Sequence, residues 1–273
     1  MLMPPAFLLA SASITTTNPI SFHSTRLLMN KSLARPSSTA SFASSVSTTS
    51  KDDGNSGSCK PRILCLHGRF QSGSIFSNKI GGARRKIARE YDLDFLDGPI
   101  LLPQTNDEGG DDMVDLSLVP RAWWNRSEDG QHTLIREAFD YVIQQTEADK
   151  YDAIIGFSQG GTLATALALS GALPNVRAVL TAGAPYTAEA FEVATSEVSS
   201  NSSNHLSKSG FDIPKLHLAG ETDGLVPMES MRELCEKGGN GTFIVHEQGH
   251  LFPTRSARVR EMLDFLGMAL SEK

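Results

Sequence analysis

The sequence predicts an α/β fold with a mostly parallel, doubly wound sheet and helices on both faces. Short apolar runs alternate with stretches of helical periodicity along residues 61–273, which is typical of a parallel sheet. The candidate functional residues all follow directly after predicted strands, where sites lie in such sheets. No internal repeat is visible, so a single layered domain over residues 59–273 is expected.

The first half of this domain contains two predicted strands and two predicted helices. Residues 62–66 form a strand that leads into a polar, glycine-bearing loop, and Ser74 is expected to cap the helix after it. Residues 94–96 form the next strand. Residues 103–130 are irregular and acidic, which is typical of a functional or mobile loop. A helical stripe of apolar residues then covers residues 131–146.

The second half repeats the alternation. Strands are predicted at residues 153–155, 176–183, 214–219 and 241–246, with a helix at 162–169 and another that opens at Pro227. Residues 187–210, with a possible short helix from Ala188 to Val198, are interpreted as an inserted cap or a loose loop. The closing helix carries apolar residues on one face: Val259, Met262, Leu263, Leu266 and Leu270.

The amino-terminal residues 1–58 differ in composition from the rest. All 31 acidic residues follow residue 51, whereas the segment before it is rich in serine and threonine and holds four basic residues. This composition predicts a transit peptide with a linker. The first basic residue is Arg26, after a long uncharged opening, which favours a plastid address; a mitochondrial address or a plain disordered tail, which would leave the protein in the cytoplasm, are the alternatives.

Charge and cysteine content exclude several partners. Residues 52–273 hold 21 basic against 31 acidic residues, and such an acidic body argues against nucleic acid. The three cysteines form neither a disulfide framework nor a metal-ligand pattern, and no dinucleotide fingerprint follows the first strand. No apolar run reaches the length of a transmembrane helix. The sequence therefore predicts no cofactor, no metal and a small-molecule partner.

Residues 156–160, Gly-Phe-Ser-Gln-Gly, match the pattern Gly-x-Ser-x-Gly between a predicted strand and a predicted helix. This context is typical of a nucleophile elbow, a strained turn that lifts a serine hydroxyl above the sheet. Side chains at positions 156 and 160 would clash with the neighbouring backbone. A glycine-rich turn with an ordinary serine is the alternative.

A serine needs a base to accept its proton and an acid to orient that base. The order Ser158, Asp223, His250 is the order of an α/β-hydrolase triad, and each residue lies just past a predicted strand. The backbone N–H of Gln159 and that of Arg69 or Phe70 are the expected oxyanion donors.

Other residues compete for these roles. His246 and His217 lie within strands, and His67 is expected to orient the loop that follows the first strand by hydrogen bonds. Glu221 or Asp212 would replace Asp223 as the acid.

The adjacent tryptophans, Trp123 and Trp124, have two interpretations. They either form an apolar wall for substrate beside the site or staple the loop to the body of the protein.

The chain resembles the FSH family of serine hydrolases. The resemblance covers roughly residues 61–268 and is carried by six pieces in the family's order: residues 64–68 with Gln71 and Ser72, residues 95–99, residues 122–124, residues 151–160, residues 213–220 with Asp223, Val226 and Pro227, and Gly249-His250 with Pro253. It implies an α/β-hydrolase fold and an esterase or thioesterase that acts on acyl esters through Ser158, Asp223 and His250. The order of Arg69 and Phe70 and the serine-rich stretch near residue 200 depart from the family's pattern, and both bear on substrate.

The leading hypothesis is therefore a serine carboxylester hydrolase or thioesterase that works through an acyl-enzyme intermediate. Two alternatives keep the same fold: a ligand-binding protein that does not hydrolyse, and an acyltransferase that hands the acyl group to an alcohol or thiol.

Overall fold

The computed structural model describes residues 60–103, 115–147, 149–200 and 210–271, and the predicted transit peptide and linker lie outside them. The first half of the fold contains three helices and six strands, with a short 3₁₀ turn at Leu116–Leu118. In chain order they are β1 (Arg62–Leu66), α1 (Gly73–Lys79), α2 (Gly81–Ile87), β2 (Asp92–Leu96), β3 (Ile100–Leu101), β4 (Arg121–Ala122), β5 (Asn125–Arg126), β6 (His132–Thr133) and α3 (Ile135–Gln145).

The second half continues the alternation of strand and helix. Its elements are β7 (Ala153–Phe157), α4 (Gln159–Ser170), β8 (Ala178–Ala182), α5 (Ala188–Ser200), β9 (Lys215–Gly220), α6 (Met228–Gly238), β10 (Gly241–His246) and α7 (Ser256–Ser271). No helix in the described ranges is long and apolar enough to span a membrane.

Six of the strands form one sheet in the order β10–β9–β8–β7–β1–β2, and every neighbouring pair is parallel. The short strands form two separate antiparallel pairs, β3 with β4 and β5 with β6. In a parallel sheet all carboxyl ends share one edge, so the segments after β1, β7, β9 and β10 meet there. The predicted fold class is confirmed.

Alternate residues of each strand face opposite layers of helices. In β1, Leu64 and Leu66 pack into a core shared with α3, α4 and α5, whereas Ile63 and Cys65 pack into a second core with α1, α2 and α7. All four side chains are fully buried. Strands that are buried on both faces consist of continuous apolar runs, and these runs allowed the strands to be predicted from the sequence.

Helix α4 is buried along its whole length, because small residues let neighbouring strands and helices approach it closely. It ends at Gly171, which adopts a left-handed φ of 69° without steric cost. This helix holds the candidate nucleophile at its amino end.

Four predictions for the helices and loops need correction. Ser72, not Ser74, caps α1 by accepting the N–H of Ile75, and the predicted single helix breaks into two at Ile80. Residues 103–130 include short strands, and α3 begins later than expected, at Ile135.

The predicted cap or loose loop at 187–210 contains α5, whose residues Ala190 and Ala194 are fully buried against α3 and α4. Residues 201–209 lie outside the described part of the chain.

Candidate active site

Ser158 occupies the single position between β7 and α4. Its φ of 51° and ψ of −121° are strained for a residue with a side chain. A Cβ atom at Gly156 would lie 2.4 Å from the carbonyl oxygen of Gly160, and one at Gly160 would lie 2.4 Å from that of His67. The predicted clashes at both glycines are confirmed, and they explain why this turn tolerates no larger residue.

The imidazole of His250 lies between the other two predicted triad residues. Its Nε2 atom is 3.0 Å from Oγ of Ser158, and its Nδ1 atom is 2.7 Å from Oδ2 of Asp223. The structure thus brings together three side chains that the sequence places after β7, β9 and β10. A nucleophile in contact with a base, and a base in contact with an acid, is the arrangement that activates a hydroxyl.

Asp223 is held on both of its oxygens. Oδ1 accepts the backbone N–H groups of Leu225 and Val226, each at 2.9 Å, while Oδ2 bonds His250. The side chain of Asp223 is only 1% exposed. The turn after β9 therefore fixes the carboxylate, and the carboxylate fixes the ring.

His250 packs against β7 and β8 as well. Its ring centroid is 4.9 Å from that of Phe157, and a Cβ atom at Gly183 would lie 3.0 Å from its Nδ1. Sequence reasoning missed Gly183. The available signal is a glycine directly after an apolar strand, at the edge of the sheet where the site was expected.

The loop after β1 lies directly against the nucleophile, because a Cβ atom at Gly68 would lie 3.2 Å from Cβ of Ser158. The N–H of Phe70 donates to the carbonyl of Arg121 at 2.9 Å, so it is already used. Within the described ranges, the N–H groups of Arg69 and Gln159 donate to no protein acceptor. Of Arg69 and Phe70, the two candidate oxyanion donors in this loop, only Arg69 has a backbone N–H that is free to bind an oxyanion.

His67 holds this loop in place. Its Nδ1 donates to the carbonyl of Gly68 at 2.8 Å, and its Nε2 accepts the N–H of Gly98 at 2.8 Å. Complete burial lowers the pKa of His67 to about 4, against the opposing effect of the hydrogen bond to Gly68. A neutral ring protonated on Nδ1 fits both contacts.

The competing acids and bases either have other partners or are exposed to solvent. His217 is buried in β9, where its Nδ1 is 2.8 Å from the hydroxyl of Thr181, and burial lowers its pKa to about 3. His246 is also buried, and its Nδ1 accepts the N–H of Gln248 at 3.3 Å. Asp212 and Glu221 are exposed. No hydrogen bond among the described residues joins any of the four to Ser158 or His250.

The tryptophans do not form a wall open to substrate, and that prediction is corrected. Trp123 is 0% exposed and Trp124 is 2% exposed, both within the core on the α4 face of the sheet. The indole of Trp123 donates to the carbonyl of His67 at 2.8 Å. Trp123 and Trp124 therefore attach their loop to the body of the protein, which is the second of the two interpretations given above.

The side chain of Gln159 completes the same attachment. Its Oε1 accepts the N–H of Trp123 at 3.0 Å, and its Nε2 donates to the carbonyl of Trp124 at 2.9 Å. The sequence had suggested only a backbone role for this residue. Among the residues that the structure describes, no group of side chains is arranged to hold a metal ion.

A parallel sheet with a serine elbow at the edge where its strands end, and a histidine and an aspartate beside it, defines an α/β-hydrolase. The fold agrees with solved structures of this class. Acyl-protein thioesterase 2 of Zea mays aligns with a TM-score of 0.54 at 16% identity, covering 79% of this chain and 96% of that one. SOBER1 of Arabidopsis thaliana aligns with a TM-score of 0.54 at 20% identity, covering 78% and 100%.

More narrowly, the chain belongs to the serine hydrolase (FSH1) family, whose profile matches residues 57–262. The family predicted from the sequence is thereby confirmed. An uncharacterized hydrolase of Schizosaccharomyces pombe is 30% identical over 219 residues, which are 76% of this chain and 51% of that protein. The esterase OVCA2 of Xenopus tropicalis is 26% identical over 224 residues, covering 77% of this chain and 94% of the esterase.

A second S. pombe relative, named dihydrofolate reductase, is 26% identical over 218 residues, which are 75% of this chain and 46% of that protein. The chain thus spans about half the length of these two yeast relatives.

Proposed function

We propose that the protein hydrolyses carboxylic esters or thioesters of acyl groups, with Ser158 as nucleophile, His250 as general base and Asp223 as the residue that orients the imidazole. One observation carries the proposal: the ring of His250 contacts Oγ of Ser158 through one nitrogen and Asp223 through the other. Membership of a serine hydrolase family supports the same reaction.

In the first half of the reaction, Oγ of Ser158 attacks the carbonyl carbon of the substrate while Nε2 of His250 takes the hydroxyl proton. The carbonyl oxygen becomes an oxyanion, which the free N–H groups of Arg69 and Gln159 stabilise. The bond to the leaving group then breaks, and His250 returns the proton to the departing alcohol or thiol. The acyl group remains on Ser158 as an ester.

In the second half of the reaction, water is the nucleophile and Oγ of Ser158 is the leaving group. His250 removes a proton from the water as its oxygen attacks the acyl-enzyme, and the same N–H groups hold the second oxyanion. Collapse of this intermediate releases the carboxylic acid, and the proton returns to Oγ of Ser158. Throughout, Asp223 keeps Nδ1 of His250 protonated, so Nε2 is free to accept and give the proton.

Hydrolysis of p-nitrophenyl butyrate by the full chain tests the proposal. Wild type is expected to turn over the ester, and Ser158→Ala is expected to lose about 10³-fold or more in kcat/KM. Ser271→Ala, at the exposed carboxyl end of α7, makes the same chemical change at the opposite edge of the sheet and is expected to keep full activity. Equal activity of Ser158→Ala and wild type, with both folded, would overturn the assignment.

A further inference from the structure

Arg69 carries its guanidinium group beside the candidate oxyanion hole. Its backbone belongs to the loop that lies against Ser158, and its side chain is partly buried. Nη1 of Arg69 donates to the carbonyl of Trp124 at 3.2 Å. The same carbonyl accepts the side-chain amide of Gln159, the residue directly after the nucleophile. The guanidinium is therefore tethered next to the start of α4.

A second arginine follows in the same segment as the carbonyl that Arg69 contacts. Arg126 is in β5, two residues after Trp124, and is exposed. Burial, followed by the positive charge of Arg126, lowers the pKa of Arg69 below its ordinary value. The two like charges therefore repel each other, and an anion bound by both would relieve that repulsion.

Neither arginine has a carboxylate partner in the described part of the chain. Arg121, which lies in the neighbouring strand β4, shows the contrast, since its Nε is 3.3 Å from the carboxylate of Asp97. The remaining donors of Arg69 and those of Arg126 form no ion pair with any described acid. Guanidinium groups present several N–H donors in a fixed plane and bind carboxylate and phosphate oxygens strongly.

We propose that Arg69 and Arg126 form an anion subsite that selects substrates bearing a carboxylate or phosphate group near the scissile acyl bond. The inference rests on the proposed hydrolase function and adds the class of substrate. The anionic oxygen belongs either to the far end of the acyl chain or to the leaving group, and both sources offer the same chemistry to the guanidinium pair.

Two matched substrate pairs distinguish these sources. The p-nitrophenyl monoester of glutaric acid, compared with p-nitrophenyl butyrate, places a carboxylate on the acyl chain. The S-butyryl thioester of 3-mercaptopropionic acid, compared with that of 3-mercaptopropionamide, places a carboxylate on the leaving group while the acyl chain stays constant. For each pair, the ratio of kcat/KM for the anionic substrate to that for the neutral one is measured on the full chain.

Wild type is expected to favour the anionic member of at least one pair. Arg126→Gln is expected to lower that ratio by about ten- to hundredfold, because a charge-assisted hydrogen bond is lost. Added salt is expected to lower it too, since the pair is near solvent. Arg85→Gln, which removes an exposed arginine from α2, is expected to leave the ratio unchanged.

Turnover of the neutral substrates with no anionic preference, or with a preference that Arg126→Gln does not reduce, would overturn the anion subsite while leaving the hydrolase function intact. Failure of a folded wild-type sample to turn over any of the four substrates would instead contradict the proposed function, and the subsite would fall with it. If the guanidinium pair binds a carboxylate of the protein itself, Arg126→Gln changes both members of a pair alike, which also overturns the inference.

Discussion

Gly183 lies directly against the ring of His250, since a Cβ atom at position 183 would stand 3.0 Å from Nδ1. That distance is too short for a comfortable contact, so an added methyl group would move the imidazole by a few tenths of an ångström. Gly183 also has a φ of 57°, a conformation that favours glycine. The absence of a side chain directly after β8 thus leaves room for the imidazole of the candidate base.

Gly183→Ala is expected to lower kcat on p-nitrophenyl butyrate by about tenfold, because small misplacements of a catalytic group are costly. It should also destabilise the protein by about 1–2 kcal/mol, the cost of a left-handed conformation for alanine. Gly171→Ala is the matched control: φ is 69° there, and a Cβ atom would meet nothing within 4 Å. Similar losses of stability with a loss of activity only at position 183 would support the account; equal activities would contradict it.

Substitutions of Asp223 should separate its two roles. Asp223→Asn and Asp223→Ala are both expected to lower kcat by about 10³–10⁴-fold, because neither holds the productive tautomer of His250. Asparagine keeps an oxygen that can accept the N–H groups of Leu225 and Val226, whereas alanine leaves the N–H of Val226 without its acceptor. Urea unfolding should therefore find the alanine variant less stable by about 1–2 kcal/mol. Full activity of Asp223→Asn would contradict the proposed role of Asp223.

Two buried histidines predict acid lability. Burial lowers the pKa of His217 to about 3 and that of His67 to about 4, from an unfolded value near 6.5. Above that value both states are neutral and stability is complete. As the pH falls from about 6.5 towards 4, these histidines become protonated in the unfolded chain but stay neutral in the folded protein. The free energy of unfolding therefore decreases. The loss is about 2 kcal/mol per histidine at pH 5.

Urea unfolding at pH 7 and pH 5 tests this linkage. His217→Leu should reduce the difference in stability between the two pH values by about 2 kcal/mol. Thr181→Val removes the hydrogen bond to His217 but keeps the titrating ring, so it should retain a pH dependence close to that of wild type. An unchanged difference in His217→Leu would show that this ring does not resist protonation.

Gln159 is expected to support the loop that carries the tryptophans. Gln159→Ala removes both hydrogen bonds to residues 123 and 124 and leaves the buried N–H of Trp123 without its acceptor, which should destabilise the protein by about 1–3 kcal/mol. Gln131→Ala makes the same change at an exposed position and should alter stability by less than about 0.5 kcal/mol. Thermal or urea unfolding compares the two, and equal stabilities would mean that the loop is held by packing alone.

Much of the fold could be predicted because its strands are buried on both faces and its candidate triad residues follow those strands in sequence. The strand positions and the clashes at Gly156 and Gly160 depend on local chemistry and on the position of each residue along the chain. The roles of the tryptophans could not be predicted in this way, since apolar wall and core staple use the same residue type. The choice between Arg69 and Phe70 depends on a hydrogen bond to Arg121, fifty-one residues away from Phe70.

The cap of α1 shows the same limit. Ser72 and Ser74 are equally good capping residues, and the choice depends on contacts made elsewhere: Oγ of Ser72 also bonds the carbonyl of Ser117 in the 3₁₀ turn. The contact of Arg69 with the segment that carries Arg126 is likewise a product of tertiary structure. Patterns along the chain identify the candidate catalytic residues. Whether a given N–H donor is free or already hydrogen-bonded depends on contacts that only the three-dimensional structure shows.

The central claim is that Ser158 is the nucleophile, and the most direct measurement is the site of covalent labelling by a fluorophosphonate probe. The folded full chain is treated with the probe, digested and mapped by mass spectrometry. The account predicts one stoichiometric adduct on the peptide that contains Ser158, slowed strongly in His250→Ala. A folded protein that takes up no label, or that carries it on another serine, would contradict the account.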